Sequence, residues 1–142
     1  MSLPAAAMEH LRREKLWVAI GLAFVALVIF LSVAPDPVRA PTIDDFKTGH
    51  ILAYAWCMLY FAQVWRDAVH RLTIALCLIV MGIGLEFVQD MLPWHRDFAV
   101  SDMVDDAIGV GIGFALGYTP LQNVIRWIEG KLGPRLRGGD SR

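Results

Sequence analysis

An uncharged apolar run of 19 residues, at positions 16–34, follows a basic N-terminal segment. This length matches the ~20 residues that a helix needs to cross a hydrocarbon core ~30 Å thick. The apolar region of a secretory signal peptide is shorter, at ~7–15 residues. In addition, Pro35 directly follows the small residues at which a signal peptidase would cut. The run therefore predicts a transmembrane helix that is retained in the protein.

Three more apolar runs follow, at about 49–65, 72–92 and 104–121. The 142-residue chain is 56% hydrophobic and 19% charged, which makes it more apolar and less charged than a soluble domain. Its net charge of −1, without a basic stripe, argues against nucleic acid as a partner. We predict an all-α integral membrane bundle of about four transmembrane helices within 1–129, and a disordered tail at 130–142.

The basic residues predict the orientation, because Lys and Arg in short loops favour the cytoplasmic side of a membrane. With four spans, the N-terminal segment, the loop after the second run and the C-terminal region share one side. These segments hold nine basic residues: Arg12, Arg13, Lys15, Arg66, Arg71, Arg126, Lys131, Arg135 and Arg137. In the other two loops, aspartates offset the few basic residues. We therefore expect both termini in the cytoplasm.

Three glycines in the fourth run, Gly109, Gly113 and Gly117, are spaced four residues apart. This spacing places them on one face of a helix, where the absence of side chains lets another backbone approach closely. The favoured interpretation is a tight contact inside one bundle. The alternative is a seam between copies, which would make the protein a homo-oligomer. Gly82 and Gly84 in the third run are candidates for the same kind of packing.

A cluster of polar residues is predicted near the outer face. Glu86, Gln89 and Asp90 share one face of the third helix, and Glu86 lies roughly 22 Å from its cytoplasmic end at 1.5 Å per residue. A carboxylate at that depth should face the bundle interior and have a partner. Candidate partners are found in the neighbouring segments: Lys47, His50, Arg96, Asp102, Asp105 and Asp106.

Two interpretations of this cluster stay open. An ion-pair lattice could tie the helix ends together, and acidic residues at the start of the fourth helix could simply cap it. A functional pocket is favoured, because a structural ion pair could form at the surface at lower cost. A metal site built from His50 and carboxylates is a weaker alternative, since one histidine with scattered carboxylates is not a specific metal signature. We predict no metal and no other cofactor.

The same residues resemble the motifs of the VanZ-like membrane proteins, a family named for a teicoplanin-resistance protein. The resemblance covers about 42–118 and follows the family's order and spacing. Its matching positions are Lys47, His50, Tyr54, Glu86, Gln89, Arg96, Asp102 and Gly109, and Asp45 lies one residue before the family's acidic position. Two positions depart from the pattern. Phe46 stands where the family usually has Asp, and Asp106 stands in place of an Asn, which replaces an amide donor with a carboxylate.

The resemblance implies a multi-pass protein of the bacterial cytoplasmic membrane and a role in sensitivity to lipoglycopeptides such as teicoplanin. We expect Lys47, His50 and Arg96 to engage a lipid-linked or amphiphilic molecule at the outer leaflet, because cations at headgroup depth suit phosphates and carboxylates. Membrane lipids and a lipid-linked envelope precursor are the expected partners.

Two alternatives to this role remain open. One is an enzyme acting on a lipid-linked substrate with His50 or Glu86 as its acid–base group, although no obvious nucleophile is present. The other is an assembly partner in a larger membrane complex, with the glycine face as its seam.

Overall fold

A computed structural model describes residues 11–35, 46–93 and 98–132 of the chain. These ranges contain helices and connecting turns but no strand, so the all-α prediction is confirmed for the described part. The helices are α1 Glu14–Val33, α2 Phe46–Val64, α3 Ala68–Met91, α4 Val100–Leu116 and α5 Val124–Leu132, with a 3-10 turn at Pro120–Asn123 before α5. The predicted tail beyond α5 lies outside the described residues.

Among the described helices, α1 and α3 are each long and apolar enough to cross a membrane. A third candidate is α4 together with the segment Pro120–Leu132, which is bent by 73° relative to α4. The helix α2 is less apolar because it occupies the centre of the bundle, where it packs against α1, α3 and α4. A helix covered by other helices needs less apolar surface than one that faces lipid.

Backbone contact between α2 and α4 depends on the predicted glycine stripe. A Cβ atom at Gly109 would lie 2.5 Å from the carbonyl oxygen of Ile51, and one at Gly113 would overlap that of Ala55. Gly117 similarly leaves room for the methyl group of Ala62. The stripe thus lies against α2 of the same chain. This close approach explains why α2 and α4 form the most extensive helix contact in the bundle.

Of three further glycines, two lie against other side chains and one does not. Gly82 of α3 lies against the side chain of Asp106, whereas Gly84 has open space where its side chain would be. The expected packing role therefore holds for Gly82 only. In α1, Gly21 lies against the rings of Tyr60 and Phe61, which brings α1 close to α2.

The four long helices alternate in direction, so the bundle has two distinct ends. At one end, His50 near the start of α2 meets Asp106 near the start of α4. We name this the His50 end. At the opposite end, Arg71 at the start of α3 meets Gln122 of the 3-10 turn before α5. We name this the arginine end, and α5 lies there because the chain turns sharply after Gly117.

The bend after α4 has a local cause. Thr119 is extended and its hydroxyl accepts a hydrogen bond from the backbone N–H of Leu121, which starts a new helical segment. Pro120 follows at the first position of that segment, where its fixed φ and missing N–H are tolerated. Residues 122–129 therefore belong to a separate helical segment at an angle to α4 and do not continue it in a straight line.

Candidate functional site

The centre of the His50 end is a buried carboxylate. Asp106 is only 4% exposed, and its Oδ1 lies 2.8 Å from Nδ1 of His50. Tyr54 lies one turn further along α2, with its hydroxyl near the same carboxylate. The carboxylate therefore joins α2 to α4 through His50. Its other face packs on Gly82 of α3, where no side chain intervenes.

Glu86 and Gln89, the polar residues predicted deep in the third helix, are both buried. Oε1 of Glu86 accepts a hydrogen bond of 2.6 Å from the backbone N–H of Ala99, the residue that precedes α4. The Nε2 group of Gln89 donates a hydrogen bond of 2.7 Å to the backbone oxygen of Ser32 in α1. These two side chains connect α3 to the beginning of α4 and the end of α1.

The other acidic residues of the predicted cluster occupy different environments. Asp102 is partly buried and accepts a hydrogen bond from the hydroxyl of Ser101. Asp90 is exposed to the surroundings of the bundle. Asp105 has one buried carboxylate oxygen without a hydrogen-bond partner in the described part of the chain. The structure thus places Asp106, and not Asp105, against His50.

Two predicted cations of the cluster, Lys47 and Arg96, cannot be placed. Arg96 and the side chain of Lys47 lie outside the described residues, so their predicted pairing with acidic residues stays a prediction. Within the described ranges, no group of three or more His, Cys, Asp or Glu side chains could hold a metal ion. The His50–Asp106 pair supplies a hydrogen-bonded imidazole whose Nδ1 is fixed in direction, an arrangement suited to holding a polar ligand or moving a proton.

The arginine end contains a second polar network that sequence reasoning did not single out. Arg71, only 1% exposed, donates hydrogen bonds to the backbone oxygen of Ala62 and to Oε1 of Gln122. The buried side chain of Gln63 accepts from the backbone N–H of Ile125, which fixes α5 on α2. The available signal was the presence of several polar side chains between the second and third apolar runs and after the fourth.

An apolar groove of about 260 Å³ lies between α1, α2 and α3. Its walls include Phe61 and Trp65 at the arginine end and reach Met81 further along α3. None of the His50-end residues lines it, so the groove is separate from the His50–Asp106 pair.

Comparison of the chain with protein-family models, with curated proteins and with solved structures gave no match.

Proposed function

We propose that the protein is a VanZ-like, multi-pass protein of the bacterial cytoplasmic membrane that crosses the bilayer four times. In this arrangement the arginine end faces the cytoplasm and the His50 end faces outward. The proposal is supported by the alternating directions of α1 to α4 and by the gathering of Arg66, Arg71 and Arg126 at one end. Basic residues on one side of a membrane bundle favour that side as the cytoplasmic one.

At the outward end, the polar residues around His50 and Asp106 bind the polar group of a lipid-linked or amphiphilic envelope molecule. Through this binding the protein modulates sensitivity to lipoglycopeptides such as teicoplanin. The observation that carries the proposal is Asp106, a carboxylate that is 4% exposed and hydrogen-bonded to His50 between apolar helices. Ionisable side chains in membrane bundles are costly to bury and are found mainly at functional positions.

The hydrogen bond of Glu86 within the bundle determines which residues of the cluster can contact a ligand. Its carboxylate accepts the N–H of Ala99, so it supports the beginning of α4 and is poorly placed to contact a ligand through that oxygen. The ligand-binding role therefore falls on His50, whose ring the buried Asp106 orients, with Lys47 and Arg96 as the expected cations. Glu86 and Gln89 hold the surrounding helices in position.

The enzyme alternative is favoured by one specific feature. A carboxylate that accepts a hydrogen bond from one imidazole nitrogen orients the ring and stabilises its protonated form, as a general acid–base histidine requires. The His50–Asp106 distance of 2.8 Å meets that requirement. The assembly alternative has less support, because the glycine face that would form its seam is covered by α2.

The experiment compares His50→Gln and Asp106→Asn with Asp90→Asn, which changes an exposed carboxylate at the same end of the bundle. Lipids that remain bound to each purified protein are identified by native mass spectrometry, and complemented deletion strains are grown with teicoplanin. We expect His50→Gln to lose a lipid species and the drug phenotype, while Asp90→Asn retains both. The proposal is overturned if folded His50→Gln and Asp90→Asn retain the same lipids and give the same growth with teicoplanin. Conversion of the lipid by the wild-type protein would favour the enzyme.

A further inference from the structure

The arginine end brings three guanidinium groups together, and two of them, those of Arg66 and Arg71, form no ion pair with a carboxylate of the described residues. Arg71 lies deepest and uses only neutral acceptors: its Nη2 donates to Ala62 and Gln122, and its Nε donates to the backbone oxygen of Trp65 at 3.3 Å. Its guanidinium carbon also lies 4.6 Å from the centre of the Tyr118 ring. These contacts fix a buried positive charge in place but do not neutralise it.

Arg66 lies in the loop between α2 and α3 and has an unsatisfied donor. Its Nη2 donates to the side-chain oxygen of Asn123, but its Nε is buried without a hydrogen-bond partner among the described residues. Neither Arg66 nor Arg71 forms an ion pair with a described carboxylate. Burial, and to a lesser extent the neighbouring positive charge of Arg71, lower the pKa of Arg66.

Arg126 completes the group from α5. Its Nη1 donates a hydrogen bond of 2.5 Å to the backbone oxygen of Gln63. Burial and the charge of Arg66 lower its pKa to about 10, and Glu129 opposes that change. Glu129 is a nearby carboxylate, but its oxygens accept hydrogen bonds from the backbone of Arg12 and Arg13 and from the indole of Trp17.

We propose that Arg66 and Arg126 bind a phosphate-bearing anion at the arginine end, with Arg71 beneath them as a fixed positioning charge. A phosphate oxygen would supply the acceptor that the buried Nε of Arg66 lacks and would relieve the repulsion among the three cations. Guanidinium groups suit this ligand, because their planar donors match phosphate oxygens in pairs.

A membrane lipid headgroup and free phosphate share this chemistry, and the surface beside the site favours the lipid. The short helix α5 exposes Trp127, Val124 and Leu132, and Leu121 is exposed just before it. Lys131 lies 3.8 Å from the centre of the Trp127 ring. A helix that presents Trp, apolar residues and Lys together is typical of the membrane–water interface. This site is separate from the His50 end and does not depend on the function proposed there.

The test measures thermal unfolding of the purified full-length protein in detergent after addition of phosphatidylglycerol, phosphatidylcholine or inorganic phosphate. We expect phosphatidylglycerol to raise the midpoint more than phosphatidylcholine does. Arg66→Gln and Arg126→Gln should each weaken the apparent affinity for phosphatidylglycerol about tenfold, since each removes a charged hydrogen-bond donor. Lys131→Gln is the matched control, because it removes an exposed positive charge from the same surface.

Unfolding midpoints measured without lipid distinguish a ligand-binding role of Arg66 from a structural one. Arg66→Gln removes a cation that forms no ion pair with a described carboxylate, so its unfolding midpoint without lipid should equal or exceed that of the wild type. Stabilisation by inorganic phosphate alone would support the anion site and identify free phosphate as its source. The proposal is overturned if both glutamine variants keep the wild-type response to phosphatidylglycerol, or if they lose no more of it than Lys131→Gln.

Discussion

The carboxylate of Glu129 accepts a hydrogen bond of 2.8 Å from the indole of Trp17, which is 112 positions away in the sequence. The same carboxylate accepts the backbone N–H groups of Arg12 and Arg13, each at 2.9 Å. These are donors at the N-terminus of α1 that have no partner within the helix. A negative charge there also interacts favourably with the helix dipole. Glu129 thus fixes the beginning of α1 on α5.

Substitution of Glu129 should therefore destabilise the contact between α1 and α5. We expect Glu129→Ala to lower the free energy of unfolding by about 1–2 kcal/mol, the usual cost of losing an N-terminal cap. Glu129→Gln should cost less, because it keeps one of the two acceptor oxygens, although it loses the other acceptor and the charge. Unfolding in detergent and hydrogen exchange at the Arg12 and Arg13 amides provide the measurements. Unchanged exchange in Glu129→Ala would contradict this account.

The contact between α2 and α4 predicts opposite results for two neighbouring glycines. A methyl group at Gly113 would overlap the carbonyl oxygen of Ala55 and lie 2.7 Å from Cβ of Met58, so Gly113→Ala should cost about 1–3 kcal/mol of stability. A methyl group at Gly111 would have no such neighbour within 4 Å. Gly111→Ala should therefore be neutral or stabilising by up to about 1 kcal/mol, because Ala favours helix.

Thermal unfolding of the two variants, with their oligomeric state checked by crosslinking, distinguishes the two roles of the glycine face. Loss of stability in an unchanged oligomer supports packing within the chain. If Gly113→Ala instead dissociated a complex while the protomer stayed equally stable, the face would be a seam between copies.

The sequence predicts the long helices well because each one contains an apolar run. Their ends are less accurate: α2 begins at Phe46 and not Gly49, and α4 begins at Val100 and not Val104. The reason is physical, since hydropathy detects only the apolar part of a helix, while polar first turns at the end of the bundle are helical too. The break after α4 depends on the Thr119 cap and was not evident from hydropathy.

Residue partners were harder to predict than helices. Asp102 and Asp106 share one face of α4, and which of them meets His50 depends on the register between α2 and α4. That register follows from the contacts of Gly109 and Gly113 with the α2 backbone, which a single sequence does not specify. The bonds of Glu129 to the start of α1 were missed for a related reason. These bonds connect the two ends of the described chain, and no local sequence pattern predicts contacts between residues so far apart.

The cap of α3 predicts a pH-dependent contribution to stability. Asp67 accepts hydrogen bonds from the backbone N–H of His70 and from its ring, and these bonds lower the pKa of Asp67. Because its pKa is lower in the folded than in the unfolded state, its contribution is fully present above the unfolded value of about 3.9. It is lost as the pH falls through the lower, folded value.

Asp67→Asn keeps a capping oxygen but cannot titrate. The difference in unfolding midpoint between wild type and Asp67→Asn should therefore shrink or reverse as the pH is lowered through the acidic range. Asp67→Ala should have a lower midpoint than Asp67→Asn at every pH, because it removes the cap altogether. A wild-type advantage over Asp67→Asn that is independent of pH would contradict a charged cap.

The hydrogen bond from Ala99 to Glu86 predicts that this carboxylate stabilises the beginning of α4. Glu86→Ala leaves the partly buried N–H of Ala99 without its acceptor and should cost about 1–3 kcal/mol. Glu86→Gln keeps an oxygen acceptor and should cost less. Faster hydrogen exchange at Ala99 in Glu86→Ala, with unchanged exchange at the opposite end of α4, would support this role. If Glu86→Gln kept full stability but abolished the envelope phenotype, Glu86 would instead belong to the ligand site.

Gly82 offers a way to disturb Asp106 without replacing it. A methyl group at Gly82 would lie 2.5 Å from Oδ2 and 3.2 Å from Cβ and Cγ of Asp106, so the carboxylate must move in Gly82→Ala. Its hydrogen bond to His50 should then be lost or weakened, at a cost of about 1–3 kcal/mol for overpacking. Gly84→Ala adds a methyl group to open space on the same helix and serves as the control.

Nitrogen chemical shifts of the His50 ring report on that hydrogen bond directly, and lipid retention and growth with teicoplanin report on function. We expect Gly82→Ala to change the His50 shifts and to reproduce the loss of lipid binding and of the drug phenotype expected for His50→Gln, while Gly84→Ala matches the wild type in both. If Gly82→Ala shifts the His50 signals and leaves lipid retention and growth intact, the His50–Asp106 geometry is not what the ligand requires. In that case the pair serves only to join α2 to α4.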